Sequence, residues 1–331
     1  MNQRKGNKTN HRLYTALKLC IAAGALFFIW DRVFYKENIG ELREQIMLIV
    51  RDDYRLSVLL AVVLLMIVNW SLEAFKWKMM LNQLEKVSFL RSLVAVFTGL
   101  TVSFFTPNRV GEYAGRVMYL LPGNRVKGIL LTVIENMAQL VITLVLGAFA
   151  LPVFLTIYGG MPWYITLPSA SVCILFALGI VVFFLRTAPA AARLSGLSFL
   201  KRFERYIIVA ESATPAKMGS ILLLSLARFL VFSGQLYLLL LVFDVQVGFP
   251  SAMLMIVLTF FVLTLVPTFA FADLGVRGAA GTFFFAYLTS HLAGVVYATL
   301  ALWLINLVLP SAAGALLLAV VSPQRKSHEL L

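Results

Sequence analysis

The residues that could do chemistry in this chain are charges set in apolar sequence, and two clusters of them stand out. The first is Thr106-Pro107-Asn108-Arg109-Val110-Gly111-Glu112-Tyr113-Ala114-Gly115-Arg116. Arg109 and Arg116 offer guanidinium forks suited to phosphate, and Glu112 offers a carboxylate suited to a cationic amine. That set fits a lipid headgroup, and the alternative is an ion pair that pins a hairpin. The second is Val266-Pro267-Thr268-Phe269-Ala270-Phe271-Ala272-Asp273-Leu274-Gly275-Val276-Arg277-Gly278. There Asp273 can pair with Arg277 or cap a helix whose N-terminus favours phosphate.

Further polar residues lie inside the apolar runs: Asn69 with Glu73, Glu135 with Gln139, and Arg228 with Gln235. Charges at membrane depth face a bundle interior or a wet cavity. Such residues either line a polar cavity or join helices by hydrogen bonds. The candidate substrate-binding residues are therefore Arg109, Glu112, Arg116, Glu135, Arg228, Asp273 and Arg277. The candidate hinges are Pro107, Gly111, Gly115, Pro267 and Gly275. No residue is nominated as catalytic or as a metal ligand.

Composition sets the class. Of 331 residues, 61% are hydrophobic and 13% charged, and the mean hydropathy is +0.91. This excludes an ordinary soluble domain. A net charge of +13 reads as Lys and Arg crowding cytoplasmic loops beside anionic headgroups, not as nucleic-acid binding. Cys20 and Cys173 lie in apolar runs, and His11, His291 and His328 lack metal-ligand spacing. Neither a phosphate-binding loop nor a dinucleotide fingerprint is present, so no cofactor is expected.

The expected fold is all-α: a polytopic membrane helical bundle of about six full spans plus two re-entrant broken-helix hairpins. A cytoplasmic polar tail (1–12) precedes a single transmembrane domain (13–322), and a second cytoplasmic tail (323–331) follows. The expected spans are 13–30, 56–77, 128–158, 163–185, 219–243 and 291–321, with Pro310 kinking the last. An amphipathic surface helix is expected around 197–209. Residues 88–105 are long enough to cross, but a full crossing would leave Arg109, Arg116, Arg125 and Lys127 outside. The positive-inside tendency favours a dip from the cytoplasm, with Lys76, Lys78, Lys86 and Arg91 read as cytoplasmic. Pro107 stops the incoming helix, and Asn108 can cap the next one. Gly111 and Gly115 form a face that admits a second helix closely. With residues 251–287 dipping from the other side, the two units become inverted repeats that share a midplane site. Both termini are then cytoplasmic, in the cell membrane.

The break Thr106-Pro107-Asn108-Arg109-Val110-Gly111-Glu112, followed by Arg116, resembles the Pro-x-x-x-Gly-Glu signature of the lysylphosphatidylglycerol synthase transmembrane (flippase-like) family. Gly275-Val276-Arg277 is similar to its later Gly-Val-Arg element, Lys76-Trp77-Lys78 to its basic-Trp cluster, and Glu135 to the Glu of its Glu-Arg helix. The chain departs from that pattern at Ala272-Asp273, Gly278 and Asn136. The resemblance implies a stand-alone member, without the soluble aminoacyl-transfer domain of fused members. It implies translocation of a phospholipid or lipid-linked molecule; carboxylates inside apolar runs, such as Glu135, are candidates for coupling that movement to the membrane potential or to a proton. The alternatives are a membrane-embedded transferase and a non-catalytic partner of a separate lipid synthase. Expected partners are the membrane lipid or lipid-linked substrate and either a second copy of the chain or that synthase.

Overall fold

The computed structural model describes residues 47, 49–104, 106, 110–186, 214–266 and 270–320. The expected first span, both tails and the surface helix at 197–209 lie outside the described residues. So do Pro107, Asn108, Arg109 and Pro267.

Among the described residues the structure is helix and turn without strands. Five stretches are long and apolar enough to cross a membrane. They are α1 (Asp53–Leu81), α4 (Arg125–Ile157), α5 (Trp163–Leu185), α6 (Pro215–Val242) and the composite span Leu292–Val320. Between them sit two broken hairpins, α2 (Phe89–Ser103) with α3 (Gly111–Val117), and α7 (Phe249–Leu265) with α8 (Ala270–Phe285). The first helices of the hairpins have 15 and 17 residues, about 23 and 26 Å at 1.5 Å per residue. That is short of the roughly 30 Å hydrocarbon layer, and each chain turns back at its break.

Local chemistry sets the helix starts. Asp52 caps α1 by accepting from the N–H groups of Tyr54 and Arg55, Ser88 caps α2, and Thr214 caps α6 ahead of Pro215. The Thr106 hydroxyl, at 2.7 Å, accepts from the Gly111 N–H at the start of α3. Gly115 then allows α3 to lie against α2: a Cβ there would stand 2.7 Å from the Gly99 Cα. This is the close approach expected of the Gly111/Gly115 face.

α1 and α6 are antiparallel partners, joined by a polar seam that recurs every seven residues along α1 and just past its C-terminal end. Arg55 donates to Asp244 at 2.8 Å, and the Val62 carbonyl accepts from Gln235 at 2.8 Å. Asn69 accepts from Arg228 at 3.0 Å, Lys76 donates to Ser225 at 3.3 Å, and Gln83 accepts from Lys217 at 2.9 Å. A seven-residue repeat keeps one stripe facing its partner along a helix pair.

The composite last span is α9 (Leu292–Trp303), a π-helical turn (Leu304–Val308) and α10 (Leu309–Val320). Pro310 has no N–H for the Asn306 carbonyl one turn earlier. That carbonyl accepts from Trp70 Nε1 at 3.2 Å instead.

The two halves exchange contacts. α2, from the first unit, packs on α10, where a Cβ at Gly314 would meet the Phe97 carbonyl at 2.2 Å. α7, from the second unit, packs on α4, where a Cβ at Gly147 would meet the Phe261 ring at 2.1 Å. With α1–α4 taken as one unit and α6–α10 as the other, each hairpin thus packs on the last span of the opposite unit.

Candidate functional site

Six charged side chains from four helices converge between the units. α1 supplies Glu73 and Lys76, α3 supplies Glu112 and Arg116, α4 supplies Glu135, and α6 supplies Arg228. Lys76, Arg116 and Glu135 are fully buried. Among the described residues, three cations and three carboxylates cancel, which is what makes such burial tolerable in an apolar interior.

Glu73 is the hub. Its Oε1 accepts from Arg116 Nη2 at 2.6 Å, while its Oε2 takes Lys76 Nζ at 3.0 Å and also pairs with Arg228 Nη1. Glu112 pairs with Arg116 one turn along α3. Glu135 is held most loosely, with Arg116 Nη1 at 3.5 Å and Lys76 Nζ at 3.9 Å. Its Oε1 has no hydrogen-bond partner. Gly99 makes room for the stem of Arg116, since a Cβ there would lie 2.8 Å from the Arg116 Cγ.

Beside the cluster lies a cavity of about 490 Å³, bounded by helices of both units. Its polar wall includes Asn69, Gln139, Thr143, Arg228, Arg277 and Asn306. Its apolar wall includes Phe229, Phe232, Phe260, Leu263 and Leu302. Asn69, Gln139, Arg228 and Asn306 all sit near the middle of long apolar spans, so the cavity lies at mid-membrane depth.

Arg228 joins cavity and cluster. Its Nε donates to Asn69 at 3.0 Å, its Nη1 holds Glu73, and its guanidinium carbon stands 5.3 Å from the Trp70 ring centre. Its Nη2 has no hydrogen-bond partner among the described residues. A chain of donors continues from Asn69 Nδ2 to Asn306 Oδ1 at 3.3 Å, fixing the orientation of the arginine from behind. Chemically this is an anchored guanidinium, with Arg277 on the same polar wall, beside aromatic and aliphatic surface, a wall that suits an amphiphile with an anionic head.

The Lysylphosphatidylglycerol synthase TM region family matches residues 15–314. The chain belongs to this family. Neither a curated protein nor a solved structure gives a significant match. The protein is an integral, multi-pass member of the family, with its motif residues divided between the two features just described.

Glu112, Arg116 and Glu135 fall in the charge cluster, behind the cavity wall. Arg228 belongs to both features, and Arg277 lines the cavity from α8. Gly111 and Gly115 form the contact with α2, and Gly275 is exposed on α8 with open space around its Cβ position. Asp273 lies within α8, which already begins at Ala270, so it is not the N-cap of that helix. Its side chain is outside the described residues, as are Arg109, Pro107 and Pro267.

Sequence reasoning placed Lys76 at the cytoplasmic side and left Glu73 as either a cavity-lining or a helix-joining residue, without nominating either for the site. Lys76 looks like one of several basic residues at a cytoplasmic helix end. Yet α1 runs on to Leu81, which leaves Lys76 inside the bundle. The signal that could have found both is the seven-residue recurrence of Asn69, Lys76 and Gln83, with Glu73 one turn after Asn69. Asn306 could have been found from Pro310, which frees the carbonyl one turn before it.

Proposed function

We propose that this protein moves a phospholipid or lipid-linked molecule between the leaflets of the cell membrane, through the cavity at mid-membrane depth. Both termini face the cytoplasm in this reading. The observation that carries it is the position of the cavity: it is lined by helices of both units, each with its hairpin helix packed against the other. A site bounded by both units can open to either leaflet when one unit rocks against the other. The headgroup rests on Arg228 and the polar wall, while the acyl or prenyl chains stay against apolar surface and lipid. Charge-assisted contact with one fork is worth about 1.5–3 kcal/mol, enough to hold a headgroup without trapping it.

The test is leaflet exchange in proteoliposomes of purified protein. A dithionite-sensitive fluorescent phosphatidylglycerol is bleached from outside, and the protein is expected to extend bleaching from the outer-leaflet pool to nearly all of it. Bleaching that stops at the outer pool, as in protein-free vesicles, contradicts translocation. Recovery of a chemically altered lipid would point instead to a transferase.

A further inference from the structure

We propose that the six-charge cluster couples the cavity to a proton, with Glu135 taking up one proton when an anionic headgroup binds Arg228. The inference rests on the cavity being the substrate site, as proposed above.

Charge neutrality carries the argument. Among the described residues, Glu73, Glu112 and Glu135 balance Lys76, Arg116 and Arg228 within the cluster, and Arg277 lines the cavity from α8. A phosphate brought onto Arg228 adds a negative charge to this neutral group, in surroundings where an uncompensated charge is costly. Protonating one carboxylate restores the balance.

Geometry selects which one. Both cations that reach Glu135 sit nearer to another acid. Lys76 Nζ is 3.0 Å from Glu73 and 3.9 Å from Glu135. Arg116 is 2.6 Å from Glu73 and 3.5 Å from Glu135, and it also pairs with Glu112. Glu135 is fully buried, and its Oε1 has no hydrogen-bond partner. A buried carboxylate that is second choice for its counter-ions is the one whose neutral form costs least.

Among the described residues, no other charge faces it from the neighbouring elements. α5 and α7, which also pack on α4, contain no charged residue. α1 presents Glu73 and Lys76, α3 presents Glu112 and Arg116, and α6 presents Arg228. The coupling path is short: phosphate on Arg228 draws the guanidinium away from Glu73, Glu73 strengthens its hold on Lys76 and Arg116, and Glu135 is left with less positive charge. Linkage is reciprocal, so protonation of Glu135 in turn tightens anion binding.

Calorimetric titration of the purified full-length protein in detergent tests this, with short-chain phosphatidylglycerol as the probe. Repeating it in buffers of different ionisation enthalpy counts the protons taken up. Repeating it from about pH 5 to about pH 9, where a buried carboxylate can titrate, gives the slope. A phosphodiester does not titrate in that window, so the slope belongs to the protein. The expected result is uptake of up to one proton, with affinity falling by up to about tenfold per pH unit on the alkaline side. Glu135→Gln should bind without proton uptake and without that slope. Binding with no proton uptake and no slope in the wild type overturns the proposal, even if Glu135→Gln does not fold. Unchanged uptake in a folded Glu135→Gln, or no binding of phosphatidylglycerol at all, overturns it too. The translocation reading is judged separately: leaflet exchange without proton uptake sinks the coupling alone, and proton-linked binding without leaflet exchange sinks translocation alone.

Discussion

Glu73 touches three cations with two oxygens, and that makes it the residue on which the cluster depends. Neutralising it leaves Arg116, Lys76 and Arg228 in excess over the remaining acids in a buried site. Breaking a buried pair of this kind costs roughly 3–5 kcal/mol. Glu73→Gln is therefore expected to lower the thermal midpoint in detergent sharply, while the loosely held Glu135 tolerates the same change with a clearly smaller loss. Equal losses would mean that the hub assignment is wrong. Charge in apolar sequence was enough to nominate Glu112, Arg116, Glu135 and Arg228 and to expect a polar cavity. It was not enough to group them, because Glu73 and Arg116 lie 43 residues apart and Glu73 and Arg228 lie 155 apart. Lys76 was misread because a basic residue near the end of an apolar run looks the same whether the helix stops there or continues.

At the scale of elements, the hairpins depend on small residues at one contact and not at another. An added methyl at Gly115 would meet the Gly99 Cα at 2.7 Å and the Thr98 carbonyl at 2.9 Å, both backbone atoms that cannot turn aside. Gly115→Ala is expected to force α2 and α3 apart, at about 1–3 kcal/mol for overpacking. Gly275 has open space around it within its helix, so Gly275→Ala should be neutral or stabilising by roughly 0.5–1 kcal/mol. Melting curves of the two variants separate the cases, and a destabilised Gly275→Ala with an unaffected Gly115→Ala would reverse the account. The described spans and both hairpins were legible from hydropathy and from the proline breaks, with ends shifted by a few residues. The shifts have a cause: polar ends such as Asp53 and Arg125 continue a helix into the headgroup region, where hydropathy no longer marks it.

For the molecule as a whole, charge placement predicted inverted units, and the structure shows each hairpin seated on the other unit. What hydropathy could not supply was the seam between α1 and α6, which depends on side chains separated by 134 to 189 residues. Orientation gives a further test. With basic loops inside, Gly123→Cys in the turn before α4 is expected to resist an impermeant thiol reagent in intact cells. Met161→Cys, in the turn between α4 and α5, is expected to react. The reverse pattern would invert the molecule in the membrane.

The central claim is that the cavity is the route, and blocking it tests that most directly. Thr143 and Thr264 line it from α4 and α7, and a tryptophan at either position fills part of the roughly 490 Å³ space without adding charge. Leaflet exchange of fluorescent phosphatidylglycerol is measured for Thr143→Trp and Thr264→Trp beside the wild type, at matched protein density and with melting curves for each. The account predicts that both folded variants lose exchange by tenfold or more, on the order of the cost of 1.4 kcal/mol or above in occupying the site. Folded variants with a plugged cavity that still exchange lipid at the wild-type rate would contradict it.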